Sequence, residues 1–138
     1  MKLDLGSFSR ALDALDRALA RAQAAPDDEE LRDACIQRFE FTFELAWKSL
    51  KRRLEMDWPN AQEIDAMSYR TLIRVGAEMG LIDSTEVADW FVFREKRNLT
   101  SHTYDASKAA EVFRALPSFA RQARRLYERL QQRGLQDA

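Results

Sequence analysis

Residues 28–56 read DEELRDACIQRFEFTFELAWKSLKRRLEM, and their spacing decides the fold class. Ile36, Phe39, Phe43, Trp47, Leu50 and Leu54 recur every three or four residues, as one face of an α-helix requires. Phe41 and Leu45 widen the face expected to be buried. Asp27 with Glu30 three residues on has the form of an N-cap and its capping partner. Trp58-Pro59-Asn60 closes the segment, so a long helix is predicted from about Asp28 to Met56. Such a stripe must be covered by other apolar faces, and the flanking sequence supplies them.

Upstream, Leu5, Phe8, Leu12, Leu15, Leu19 and Ala22 form a second helical stripe, which stops before Ala25-Pro26. Downstream, Ser68 can cap a short helix carrying Leu72, Val75 and Met79, with Gly80 in the terminating position. Asp83 with Glu86 is a further capping pair, opening a helix from about Ser84 to Ser101. Asp105 or Ser107 can start the last helix, whose inward residues are Val112, Phe113, Leu116, Phe119, Ala123, Leu126 and Leu130. Pro117 should bend or break it. No period-2 run suggests a strand, so the expected fold is all-α. It is an antiparallel up-and-down bundle of four long helices and one short one, forming one domain over residues 1–138.

Composition narrows the function classes. Four Gly and three Pro are too few for the frequent turns of a sandwich or barrel. One Cys leaves no internal disulfide, and Cys35 reads as a small buried residue in a chain suited to a reducing, cytoplasmic setting. No stretch reaches the ~20 apolar residues of a membrane span, so no membrane partner is expected. A net charge of −1 argues against a generally basic nucleic-acid binder, yet leaves room for a local basic site. One such site is the C-terminal run Arg121, Arg124, Arg125, Arg129 and Arg133, which reads either as a solvated face or as an attractor for RNA or an acidic partner. With a single His, any imidazole chemistry falls to His102. Glu40 and Glu44 resemble half a metal site, but no second Glu-x-x-His follows, so neither metal nor other cofactor is expected.

The helical stripe that begins at Val87, Trp90 and Phe91 breaks its own rule further on. The same spacing reaches Arg94, Asn98 and then Ser101 or His102, placing polar groups where packing would put apolar ones. An uncompensated buried charge costs several kcal/mol, so Arg94 must meet an acid, a cleft or another chain. Pairing with Glu40 or Glu44 across the bundle is the structural expectation. Arg97 lies about 140° around an ideal helix from His102. The two can converge only if the helix unwinds near Ser101, or across a symmetry axis.

The segment Arg97-Asn98-Leu99-Thr100-Ser101-His102-Thr103-Tyr104 resembles the signature of the HEPN superfamily: an Arg, a polar residue, three variable residues, a His and a Tyr two beyond. Residues 37–48, QRFEFTFELAWK, resemble the subgroup called nucleotidyltransferase substrate-binding proteins, which includes HepT-type toxins. The resemblance implies a homodimeric helical bundle acting as a metal-independent endoribonuclease. Its Arg97 and His102 from two protomers would line a cleft at the dimer axis, with Asn98 beside Arg97 in support. It also implies a cognate minimal nucleotidyltransferase as antitoxin, able to transfer AMP to Tyr104.

The residue chemistry is consistent with that implication. Histidine titrates near neutrality and serves as acid or base, while arginine stays charged and grips phosphate oxygens. One His per chain becomes two per dimer. The alternative readings are a non-catalytic partner subunit of the nucleotidyltransferase, or a bundle whose cleft binds a nucleotide without cleaving it. On a purely structural reading, His102 would cap its helix by bonding a backbone carbonyl.

Overall fold

Asp28, one residue later than expected, caps the helix that carries the central stripe. Its carboxylate accepts from the backbone N–H groups of Glu30 (3.0 Å) and Leu31 (3.1 Å). The structure, a computed structural model, describes residues 2–137. Among them are six α-helices and no strand: α1 (Gly6–Ala24), α2 (Glu29–Asp57), α3 (Ala61–Asp65), α4 (Tyr69–Glu78), α5 (Val87–Leu99) and α6 (Ala106–Gln136). Turns of 3₁₀ helix at Ser84–Glu86 and Thr100–His102 bracket α5. The all-α bundle is thus present, with a one-turn helix, α3, added in the α2–α4 connection. Asn60 caps α3 by accepting from Gln62 N–H (3.0 Å), so a residue read as a breaker also starts the next element.

Each long helix buries the stripe that its sequence displays. Phe8, Leu12, Leu15 and Leu19 of α1 meet Ile36, Phe39, Phe43, Leu50 and Leu54 of α2 in one core. Val112, Leu116, Phe119, Ala123, Leu126 and Leu130 of α6 complete it. Phe119 is its hub. Its ring lies 4.9 Å from Phe39, 5.2 Å from Phe93, 6.0 Å from Trp90 and 6.2 Å from Phe43, centroid to centroid, the first three edge-on. Pro117, two residues earlier, does not interrupt α6. The lost backbone hydrogen bond costs roughly 3 kcal/mol in a helix interior, and burial of Leu116 and Phe119 on either side of it offsets that cost.

Some expected faces turn out differently. Phe41 is 53% exposed, because α2 presents it opposite the α1 and α6 contacts, and Leu45 is only half buried. Cys35 is fully buried, and burial pushes its thiol pKa up. Of the C-terminal arginines, Arg124 pairs with Asp13 (3.1 Å) and Asp16 (2.8 Å), Arg125 with Glu86, and Arg133 with Asp57 (2.9 Å). Most of that basic run therefore ties α6 to its neighbours.

At the same end, buried Arg53 donates to Asp57 (2.5 Å) and Asp137 (2.6 Å), and Arg133 donates to the Met79 carbonyl (2.7 Å). Hydrogen bonding to Arg53 lowers the Asp137 carboxyl below its ordinary pKa. Gly80, at φ +79°, closes α4 in the left-handed region, and the Leu81 N–H donates back to Gly76 O (2.9 Å).

Phe119→Ala is expected to destabilise the chain by about 3–5 kcal/mol in urea unfolding. A loss below about 1 kcal/mol would mean that the aromatic cluster repacks without its hub.

Candidate functional site

The last turn of α5 explains where the polar residues go. Thr100, Ser101 and Thr103 each turn a hydroxyl back onto a carbonyl three residues earlier. The acceptors are Arg97 O (2.7 Å), Asn98 O (3.3 Å) and Thr100 O (3.2 Å). These bonds satisfy carbonyls left open at a helix C-terminus and favour the tighter 3₁₀ turn. With about three residues per turn instead of 3.6, His102 leaves the face shared by Arg94 and Asn98. The chain then turns into α6, where Asp105 caps by accepting from Ser107 N–H (2.9 Å) and Ser107 Oγ (2.7 Å). Those bonds lower the Asp105 carboxyl pKa.

Arg97, not Arg94, faces the acids of α2. Its Nε lies 3.6 Å from Glu44 and its Nη1 3.9 Å from Glu40, while Nη1 donates to Thr100 Oγ1 (3.0 Å). The Nε group is buried without a hydrogen-bond partner. Arg94 instead lays its guanidinium over the Tyr69 ring, 4.8 Å from the centroid. The expected pairing of Arg94 with Glu40 or Glu44 is therefore corrected. Arg97 is three residues further along α5, nearly one full turn, and reaches the same side of the helix closer to α2.

Arg94, Arg97 and Asn98 line a cavity of about 360 Å³ between α2, α4 and α5. Phe43, Glu44, Trp47 and Lys51 face it from α2, with Met67, Tyr69 and Leu72 opposite. His102 and Tyr104 lie outside this lining. Tyr104 is 86% exposed, His102 is also exposed, and their rings pack edge-to-face 6.2 Å apart. Among the described residues the His102 ring makes no hydrogen bond, so it is not the expected cap on a backbone carbonyl. Neither do Arg97 and His102 bond each other within one chain.

The cavity walls are what the sequence reading missed. Trp47 belongs to the stripe expected to be buried, yet it is half buried at the cavity edge, with Nε1 donating to Glu44 (3.3 Å). Its indole N–H, followed by Lys48 and Lys51 on one helix, was the available signal that this side meets polar surroundings. Tyr69 gave no signal beyond following the cap Ser68.

Comparison with known proteins assigns the family. Residues 3–132 match the family model described as nucleotidyltransferase substrate binding protein like. The chain belongs to the nucleotidyltransferase substrate-binding family. That is the HEPN-like group which its two motif segments resemble. A Haemophilus influenzae protein named probable ribonuclease HepT is 35% identical to this family member over 122 residues, 88% of this chain and 82% of that protein. A solved Haemophilus influenzae structure is described as the fold of a substrate-binding domain of a nucleotidyltransferase. It matches with a TM-score of 0.86 at 29% identity, covering 93% of this chain and 99% of that one. A crystal structure from Thermus thermophilus matches at 0.65 and 34% identity, covering 84% and 98%. No helix among the described residues is long and apolar enough to cross a membrane.

The Tyr69 hydroxyl donates to the Trp90 carbonyl (2.8 Å), and burial pushes its pKa well above the ordinary phenol value, against a smaller opposing effect of Arg94. The fold favours the neutral phenol, so stability should fall as pH rises above about 10, where the unfolded chain begins to ionise there. In an alkaline titration followed by phenolate absorbance, one of the three tyrosines should ionise only as the chain unfolds. Tyr69→Phe should remove that late step; its persistence in the variant would contradict the assignment.

Proposed function

We propose that this family member is a HepT-like, metal-independent endoribonuclease that works as a homodimer and is restrained by a cognate nucleotidyltransferase. The observation that carries the reading is the state of His102. A histidine with a capping or core role is bonded or buried, and this one is neither, although it lies five residues beyond a half-buried arginine. Similarity to a probable ribonuclease supports the choice of chemistry.

In the proposed reaction the ribose 2′-hydroxyl attacks the adjacent phosphorus, and the P–O bond to the 5′ oxygen of the next nucleotide breaks. One His102 takes the hydroxyl proton, and the second, from the other protomer, donates one to the leaving oxygen. Arg97 holds the phosphoryl oxygens as negative charge builds there, with Asn98 beside it as a neutral donor. The products are a 2′,3′-cyclic phosphate and a free 5′-hydroxyl. Two protomers supply the two imidazoles, which a single chain cannot.

Arg97→Ala or His102→Ala should lower the rate of cleavage of labelled RNA by about 10²–10⁴-fold in the presence of a chelator. Either variant should also relieve any growth arrest caused by expressing the chain alone. Purified wild-type dimer that leaves diverse RNAs intact would sink the nuclease reading. The family description favours a second reading in that event, a non-catalytic partner of a nucleotidyltransferase.

Restraint is proposed to act at Tyr104, whose exposed phenol is open to a nucleotidyltransferase active site. The phenol oxygen would take AMP from ATP, releasing pyrophosphate and a proton, and place a phosphate beside His102 where it repels RNA. Mass spectrometry of the chain co-expressed with its nucleotidyltransferase should find AMP on the peptide containing Tyr104. An unmodified tyrosine in a fully inhibited complex would exclude this mechanism.

A further inference from the structure

The cavity between α2, α4 and α5 combines two features, and of the residues that make them the cleavage chemistry uses only Arg97. The first is a corner of flat surfaces. The Trp47 and Tyr69 rings stand 6.4 Å apart at 85°, and Arg94 already covers Tyr69, so a planar ring stacked on Trp47 turns its edge toward Tyr69. The second is cationic charge beside that corner. Arg94 lies over Tyr69 with no carboxylate within ion-pair distance among the described residues, and Arg97 keeps a buried Nε without a hydrogen-bond partner. Lys51 also faces the cavity but is held by Asp65 (2.7 Å), and Glu44 is the one acid on its wall.

A flat aromatic heterocycle joined to a phosphate satisfies both features. The volume of about 360 Å³ lies at the small end of ligand sites, fitting one such unit and excluding a helix or a folded peptide. A base inside a duplex has both faces stacked already and cannot enter, whereas an unpaired base can.

We propose that this cavity seats one unpaired base of the RNA, stacked at the Trp47–Tyr69 corner with Arg94 on its flanking phosphate. Trp47 and Arg94 then determine which RNA positions are presented to Arg97 and His102. The substrate rests on the ribonuclease reading above, while the binding itself rests on the cavity alone.

The test uses the full chain carrying His102→Ala, so that RNA is not consumed, with binding read by fluorescence anisotropy. The probes are an end-labelled single-stranded oligoadenylate and a perfect RNA duplex. Single strands should bind more tightly than duplex. Adding Trp47→Ala should weaken single-strand binding about 5- to 150-fold and leave duplex binding unchanged, while Trp47→Phe should retain most of the affinity. Arg94→Ala, at an exposed position, should reduce the slope of log affinity against log salt by about 0.7.

Single-strand binding unchanged in both Arg94→Ala and a Trp47→Ala chain of native helical content would overturn the proposal. So would free AMP that quenches Trp47 fluorescence while the oligonucleotide cannot displace it, since the cavity would then serve a free nucleotide. The two readings fail separately. A wild-type chain that shows these binding dependences but cuts nothing loses the ribonuclease assignment and keeps the cavity. One that cuts the same positions with and without Trp47 keeps the ribonuclease assignment and loses the cavity.

Discussion

Everything around the candidate site depends on how the Phe119 ring locks α5 against α2. Trp90 and Phe93 of α5 and Phe39 and Phe43 of α2 all pack on that one side chain of α6. Edge-to-face aromatic packing is directional, so it sets the rotation of α5 as well as its distance. With Phe93 turned inward, Arg94, Arg97 and Asn98 line the cavity facing α2 and α4. The cavity is the space left when a helix anchored by its apolar half presents polar residues to two neighbours. Gly76 lets α4 approach closely: a Cβ there would meet the Leu50 methyls at 3.1 and 3.2 Å.

The end of α5 follows a different logic, set by hydroxyls rather than by burial. Three Ser and Thr side chains compete for carbonyls that a continuing helix would have used, and their bonds stop α5 at Leu99. One consequence is a change of surroundings along eight residues. Arg97 remains in the packed part of the bundle, and His102 and Tyr104 ride on an exposed turn. An imidazole and a phenol so placed are available to another macromolecule, whether RNA, a second protomer or a modifying enzyme.

The helical class was legible because the long stripes held one period and several helix starts carried a capping side chain. Asp28, Ser68 and Asp105 all accept backbone N–H groups where a cap was sought, within a residue. Pro117 does not break α6, since the local helix penalty is small beside the burial of the residues around it. Phe41 misled, because hydrophobicity alone does not tell an outer face from an inner one. The motif residues could be found in the sequence, but their grouping could not. That Arg97 shares a cavity with Trp47 and Tyr69, and that His102 does not, depends on the α-to-3₁₀ change and on the α2–α4 approach. The first arises from local hydroxyl-to-carbonyl bonds and the second from tertiary contacts, and neither has a periodic signature.

The charge arithmetic acquires meaning in the same way. A chain of net charge −1 gains little from long-range attraction to RNA, and its C-terminal arginines are mostly engaged with Asp13, Asp16, Glu86 and Asp57. On the proposed reading, what is left for a phosphate is local, at Arg94 and Arg97. A half-buried guanidinium needs compensation for the bundle to fold, and Glu40 and Glu44 provide it across gaps of 3.9 and 3.6 Å, too long for close charge-assisted hydrogen bonds. Such contacts lower the cost of burying the cation while leaving its Nε without a hydrogen-bond partner. On the proposed reading, a phosphate would offer Arg97 shorter, better-aligned bonds than these carboxylates, which meanwhile hold the arginine in place.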